Sequence, residues 1–293
     1  MDGSLATFTF DPVNNQTQMS DSTGLTSFTF DPRNIYLQRL DPGGLLQTYA
    51  TDLARQRTSL TDPSNGVREY TYDLDGRLTV YQDPGLILTT FQFDPARRCT
   101  TILYNAGDKR VMTYDAVGQL LSAQNLAPLS SINQAMTFTY DGIGNRITVA
   151  DIENLTTYLM DAKNRLIQDL TTGPNAHAYT YLYDANDNRL MAYESSVPST
   201  WVFDPANRMV TMLSGLLTTS YSYDSNGNLI LISGTTGLTT MSYDFENQLK
   251  VYQAGSTAAT YLYSADQLKR SENVNGSLTT LIWDGQNYLG GMN

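Results

Sequence analysis

Cysteine occurs once, at Cys99, and histidine once, at His177, in a chain of 293 residues. A single thiol excludes an intrachain disulfide and a thiolate metal cluster. A single imidazole leaves one candidate base for any Ser-His-Asp or Cys-His device, and no GxSxG, HExxH or P-loop motif supports one. Lysine is confined to Lys109, Lys163, Lys250 and Lys269, and the formal net charge is -11. That balance repels phosphate backbones, so nucleic acid is excluded as a partner. Nowhere do roughly eighteen apolar residues run together, so no membrane span is expected. The opening MDGSLATFTF lacks a basic segment followed by an apolar one, so no signal peptide is visible. Because patterned sequence starts by Phe8 without a leader, the chain reads as a piece of a longer parent.

What remains is a β-forming vocabulary. At 41% hydrophobic and 16% charged the chain is too apolar for disorder and too polar for a membrane protein. Tyrosine occurs 20 times, and aromatic and β-branched residues suit strands. The stretch Tyr221 to Leu229, YSYDSNGNL, recurs along the chain. Its anchor, at Tyr223, has equivalents at Phe10, Phe30, Thr51, Tyr72, Phe93, Tyr114, Tyr140, Met160, Tyr183, Phe203, Tyr243, Tyr263 and Trp283, most of them 20 or 21 residues apart. The residue after the anchor is Asp in 13 of these 14 copies: Asp11, Asp31, Asp52, Asp73, Asp94, Asp115, Asp141, Asp161, Asp184, Asp204, Asp224, Asp244 and Asp284. Ser264 is the exception.

Two residues before the anchor a large apolar side chain is usual, as at Phe8, Tyr70, Phe138, Trp201 and Tyr261, with a small or polar residue between. This is the period of a strand with one buried face. A short turn follows, seen as DLDGR from Asp73 and DSNGN from Asp224, then an aliphatic run and a second turn, often closing on Gly as at Asn65-Gly66 or Asn275-Gly276. Asn and Gly tolerate the positive φ of tight hairpin turns. Each copy is strand, turn, strand, turn, so the fold predicted is all-β: tandem hairpins in a long antiparallel sheet of about 28 strands. So many twisted strands are expected to curl into a spiral, a hollow shell or part of one. The reading is of a single array over 1–293, about 14 repeats of 20–21 residues, with irregular insertions near 121–135 and 171–178. Aromatic ladders along the sheet are expected to help hold it.

The clustered Asp and Asn residues invite a metal reading. Asp224, Asn226 and Asn228 mimic the start of a Ca²⁺ loop, but Thr235 stands where its bidentate Glu is required. Capping of the turn by its own Asp is the better account, and no metal or cofactor is expected. Arg77, Arg165, Arg189 and Arg208 follow their turn Asp closely and are expected to offset its charge. His177 falls in an irregular loop and Cys99 at the start of a return strand. Neither is assigned catalysis.

At YDLDGRL (Tyr72 to Leu78), YDANDNRL (Tyr183 to Leu190) and YDSNGNL (Tyr223 to Leu229) the chain resembles the Rhs or YD-repeat family: bacterial Rhs toxin shells, the cocoon subunits of toxin complexes, and the teneurins. The resemblance runs from about Phe8 to Tyr288. It implies a β-ribbon wound into a hollow shell and a secreted or cell-surface protein. Members with a self-cleaving C-terminal region carry DPxG motifs there. Here DPGGL lies at Asp41 to Leu45 and reads as an inter-hairpin turn, so self-cleavage is not carried over.

The leading expectation is a non-catalytic structural shell enclosing or displaying a polypeptide cargo such as a toxin segment. An extracellular module binding glycan or protein is the alternative, and an enzyme embedded in the ribbon the outsider. In the leading reading the anchors and their Asp residues are structural. Further segments of the parent, or a second chain meeting the open sheet edges, are the expected partners, because unpaired edge strands must be docked or paired.

Overall fold

A computed structural model describes residues 5–128, 131–194, 197–235 and 237–292. It is all-β, with no α-helix among the described residues, and its 28 strands belong to one open antiparallel sheet. Chain neighbours pair as hairpins. In β21 (Leu217–Tyr223) and β22 (Leu229–Gly234), for example, Tyr221 faces Ile232 and Tyr223 faces Leu229. The strand that carries an anchor ends on it in nearly every copy, from β1 (Thr7–Phe10) to β25 (Thr257–Tyr263). The last, β27 (Ser277–Asp284), runs one residue further.

Two compact units make up the chain. One comprises Met1–Ser27 with Tyr181–Asn293, the other Phe28–Thr180. In the first, β2 (Gln16–Asp21) and β3 (Gly24–Phe30) pair through Asp21 and Gly24, and Met19 and Thr26 are fully buried. Ala259, Ser264, Arg270, Leu281 and Ile282 are buried in the same unit. In the second, burial is deepest at Gln47 and Leu60, followed by Asp41, Thr171 and Tyr49. Elsewhere most ladder side chains are half-buried, as befits a sheet whose copies lean mainly on their neighbours.

The longer repeat steps are strand as well as turn. The strands β12 (Leu120–Leu126) and β13 (Ile132–Tyr140) pair from Ser122 with Thr137 out to Leu126 with Ile132. Residues 129 and 130 lie outside the described set. His177 opens β17 (His177–Tyr183) and faces Thr171 of β16 (Leu166–Thr172), so it is a ladder residue and not part of a loop. Asp41 to Leu45 is an inter-hairpin turn, with Gly43 and Gly44 at φ 84° and 79°.

Candidate functional site

The repeated turn is built by its Asp. At Asp224 the backbone N–H donates to the carbonyl of Asn228 at 2.9 Å, and Gly227 N–H donates back to the Asp224 carbonyl at 3.1 Å. The carboxylate fills the loop: Oδ1 accepts from the N–H of Asn226 at 3.0 Å and of Asn228 at 2.8 Å, and Oδ2 from the Asn228 side-chain amide at 2.9 Å. Gly227 sits at φ 88°. This is a type I turn followed by a left-handed residue and a bulge, the common three-residue hairpin. The ladder register accordingly shifts at Tyr223, as it does at Phe10, Tyr72 and Tyr140. Asp11 and Asp141 hold Asn15 and Asn145 in the same way.

Where Arg replaces Asn four residues after the Asp, the loop becomes an ion pair. Arg77 to Asp73, Arg98 to Asp94 and Arg165 to Asp161 close at 2.7 Å, and Arg208 to Asp204 at 2.8 Å. These carboxyls lie below the usual aspartate value of 3.8, first because the backbone N–H four residues on favours the charged form. The Arg side chain adds to that effect. At Asp224 the Asn228 side-chain amide is the first cause of the lowering. Arg189 does something else: it sits five residues after Asp184, and its guanidinium lies 4.5 Å over the Tyr181 ring. Asn188 takes the place beside Asp184, at 2.8 and 2.9 Å. Neutralisation by Arg189 is therefore corrected to ring stacking, because one residue of offset turns the side chain to another neighbour.

Consecutive copies are tied through three contacts. The anchor hydroxyl donates to a carbonyl of the preceding copy, at the register shift: Tyr114 to Cys99, Tyr140 to Leu120 and Tyr223 to Met209, all 2.8 Å, and Tyr243 to Leu229, 3.0 Å. The Trp283 indole N–H replaces it, reaching the Lys269 carbonyl at 2.7 Å. An Arg in the preceding turn covers the anchor ring, with Arg77 over Phe93 and Arg98 over Tyr114 at 5.0 Å and Arg208 over Tyr223 at 4.9 Å. Turn asparagines bond to one another, as Asn188 to Asn207 at 2.9 Å and Asn228 to Asn247 at 2.8 Å. Burial also raises the Tyr114 and Tyr223 hydroxyl pKa values above the ordinary 10.0.

Phe10 and Phe30 end β1 and β3. Tyr72, Phe93, Tyr183, Phe203 and Tyr263 occupy the matching strand ends of their copies. The carboxylates of Asp31, Asp115, Asp184 and Asp244 each accept from the backbone N–H four residues further on, as Asp224 does. Asp284 ends β27, facing Asn287 across the closing turn, and is buried.

The copy without its Asp is rebuilt. Ser264 is 2% exposed, and its hydroxyl bonds to the carboxylate of Asp266. Arg270, itself 6% exposed, donates from Nε to Ser264 Oγ at 2.8 Å and pairs with Asp266 at 3.1 Å. The Ala265 N–H then points to another part of the chain, where Asp21 Oδ2 accepts it at 2.7 Å across 244 residues of sequence. Asp21 is held from its other oxygen by Thr23 N–H and Oγ1, at 2.7 and 2.6 Å. A cleft of about 140 Å³ remains at this seam, with Ala6, Asp21 and Ser22 on one wall and Asp244, Glu246 and Ser264 on the other. The N-terminal hairpin is thus docked on the array's own surface.

His177 has partners on both ring nitrogens. Nδ1 meets the Asn175 carbonyl and Nε2 the Thr171 hydroxyl, each at 3.0 Å, and Asp169 Oδ1 lies 3.5 Å from Nε2. Thr171 is 4% exposed and shares its hydroxyl with Thr156 at 2.8 Å. Cys99 opens β10 (Cys99–Tyr104) half-buried, and burial pushes its thiol up. Among the described residues no group of three or more His, Cys, Asp or Glu gathers as a metal site, and no helix is long and apolar enough to cross a membrane.

Comparison with known proteins agrees with this repeat geometry. No curated protein matches the chain. Among solved structures, TcdB2-TccC3-TEV superposes with a TM-score of 0.58 at 13% identity over 97% of this chain, and TcdB2-TccC3-Cdc42 with 0.57 at 13% over 95%. In both cases this chain spans about a fifth of the neighbour's length, 21%. At that identity the likeness is one of fold. The family model described as teneurin YD-shell matches residues 130–286, more than half of the sequence. With the Tyr-Asp turn repeated copy after copy, the chain belongs to the teneurin YD-shell family.

Proposed function

We propose that the chain is a stretch of non-catalytic wall in a larger YD-repeat protein, enclosing or displaying a polypeptide such as a toxin segment. One observation carries this reading: the groups that look chemically active are used up in holding the ribbon together. Turn carboxylates accept from their own loops, anchor hydroxyls donate to the preceding copy, and Thr171 is buried behind His177. Turn and anchor groups satisfied in this way leave a wall that can face a polypeptide without reacting with it. The larger protein would be secreted or exposed at a cell surface, and further segments of it would be this chain's partners.

The test is proteolysis of the parent protein isolated from its source. A segment outside the ribbon should stay uncut while the ribbon is folded and be cut once it unfolds. Equal cutting in both states would overturn the proposal. A recognition role draws support from the cleft of about 420 Å³ where Trp201 and Phe203 stand beside Asp187 and Arg189. Binding on a glycan array that Trp201→Ala abolishes would favour that second role.

A further inference from the structure

The anchor position supplies its own template for a missing group. In the copies at Tyr114 and Tyr223 a phenol ring fills the space beside the preceding turn. An Arg covers its face, and the carbonyl of the residue after that Arg takes its hydroxyl. Thr51 is the one short side chain among the anchors. Met160, the other non-aromatic one, is long and flexible enough to fill an irregular gap. At Thr51 there is a cleft of about 300 Å³, walled by Ile35, Tyr36, Tyr49, Thr51, Arg55 and Arg57.

Ile35 and Tyr36 hold the positions that Arg98 and Cys99 hold around the Tyr114 ring, so the cleft lies where the ring is absent. A cavity of about 150 Å³ is enough to take benzene. The walls suit an aromatic guest. The Tyr36 and Tyr49 rings are 4.9 Å apart between centroids, Arg57 lies 4.7 Å over Tyr49, and Ile35 is 7% exposed. Aromatic rings gain from such edge and offset contacts, and from the nearby cations.

We infer that the cleft at Thr51 is a binding site for a phenol ring, which takes the place of the tyrosine side chain that this copy lacks. The inference rests on the repeat geometry and stands apart from the proposed wall function. The ring comes either from a free phenol or from a tyrosine of a polypeptide.

The experiment is an NMR titration of the full chain with p-cresol and, separately, with a short tyrosine-containing peptide. Saturable shifts of the Ile35 and Thr51 methyl signals are expected with at least one of them. A peptide that binds about tenfold or more tightly than p-cresol assigns the ring to a polypeptide, and the reverse order or parity assigns it to a free phenol. Thr51→Tyr supplies the ring covalently and should abolish the saturable shifts at Ile35. Thr51→Met, carrying the side chain that Met160 carries, should do the same and guards against a folding failure of the first variant. No saturation with either probe, or unchanged saturation in both folded variants, would overturn the site.

Discussion

The turn at Asp224 and the turn at Ser264 are two copies apart in the same unit and solve the same problem differently. Asp224 completes its loop alone, with both carboxylate oxygens committed to Asn226 and Asn228, and the next residue, Ser225, is exposed. Ser264 cannot do this. Its carboxylate has moved to Asp266, a buried Arg270 ties the two together, and the next amide, at Ala265, is held by Asp21. The regular copy is self-sufficient and the deviant copy is finished by a distant hairpin. In a repeat this uniform, a departure marks a place where the ribbon touches something other than its neighbours.

The contrast can be broken most forcefully at Arg270. Arg270→Ala removes a buried guanidinium and its charge-assisted bond to the buried Ser264 hydroxyl, an expected loss of roughly 2 to 3 kcal/mol. The matching change at a regular turn, Arg208→Ala, should cost less than about 1 kcal/mol because its side chain is more than a third exposed and the Asp204 carboxylate keeps its backbone N–H donors. Urea denaturation of both variants checks the order, and equal losses would erase the distinction. Asp21→Ala comes next, at about 2 kcal/mol, because a charge-assisted hydrogen bond is lost and the Ala265 N–H is left unpaired. Tyr223→Phe removes only the hydroxyl bond to Met209 and should cost about 1 kcal/mol.

The smallest effect per residue is titration of the regular turns. Their carboxyls at Asp73, Asp94, Asp161, Asp204 and Asp224 are lowered by folding, so their stabilising contribution is fully present above the unfolded value and lost as pH falls through the lower folded values. Thermal melts should be level from about pH 7 to about pH 5 and fall below about pH 4. A melting temperature unchanged down to about pH 2.5 would show that the turn carboxylates contribute little.

Much of this architecture is readable from the chain because a hairpin repeat leaves a period in the sequence. Aromatics at i and i+2, an Asp and then Asn or Gly determine strand face, strand end and turn type locally. The links between copies are less visible. Phe203 and Tyr223 serve equally as anchors in sequence, yet of the two only Tyr223 has a donor to reach the preceding carbonyl, so alternation of Tyr and Phe conceals the bond. The roles of Arg189 and Arg208 differ by one residue of offset, which becomes meaningful only once the bulge is placed. The clasp of Asp21 on Ala265 was the least legible, since nothing near Asp21 names a partner 244 residues away. Its signal was the missing Asp at Ser264, and the meaning of that gap depended on long-range packing.

The most direct test is amide exchange at two equivalent residues, Ser225 and Ala265, each following the first turn residue. In the native chain Ala265 should exchange far more slowly than Ser225, because its N–H is held by Asp21 while Ser225 faces solvent. In Asp21→Ala the two should exchange at similar rates while the Asn226 and Asn228 amides keep their protection. Fast exchange at Ala265 in the native chain, or slow exchange that survives Asp21→Ala, would contradict the claim that this turn is completed by the N-terminal hairpin.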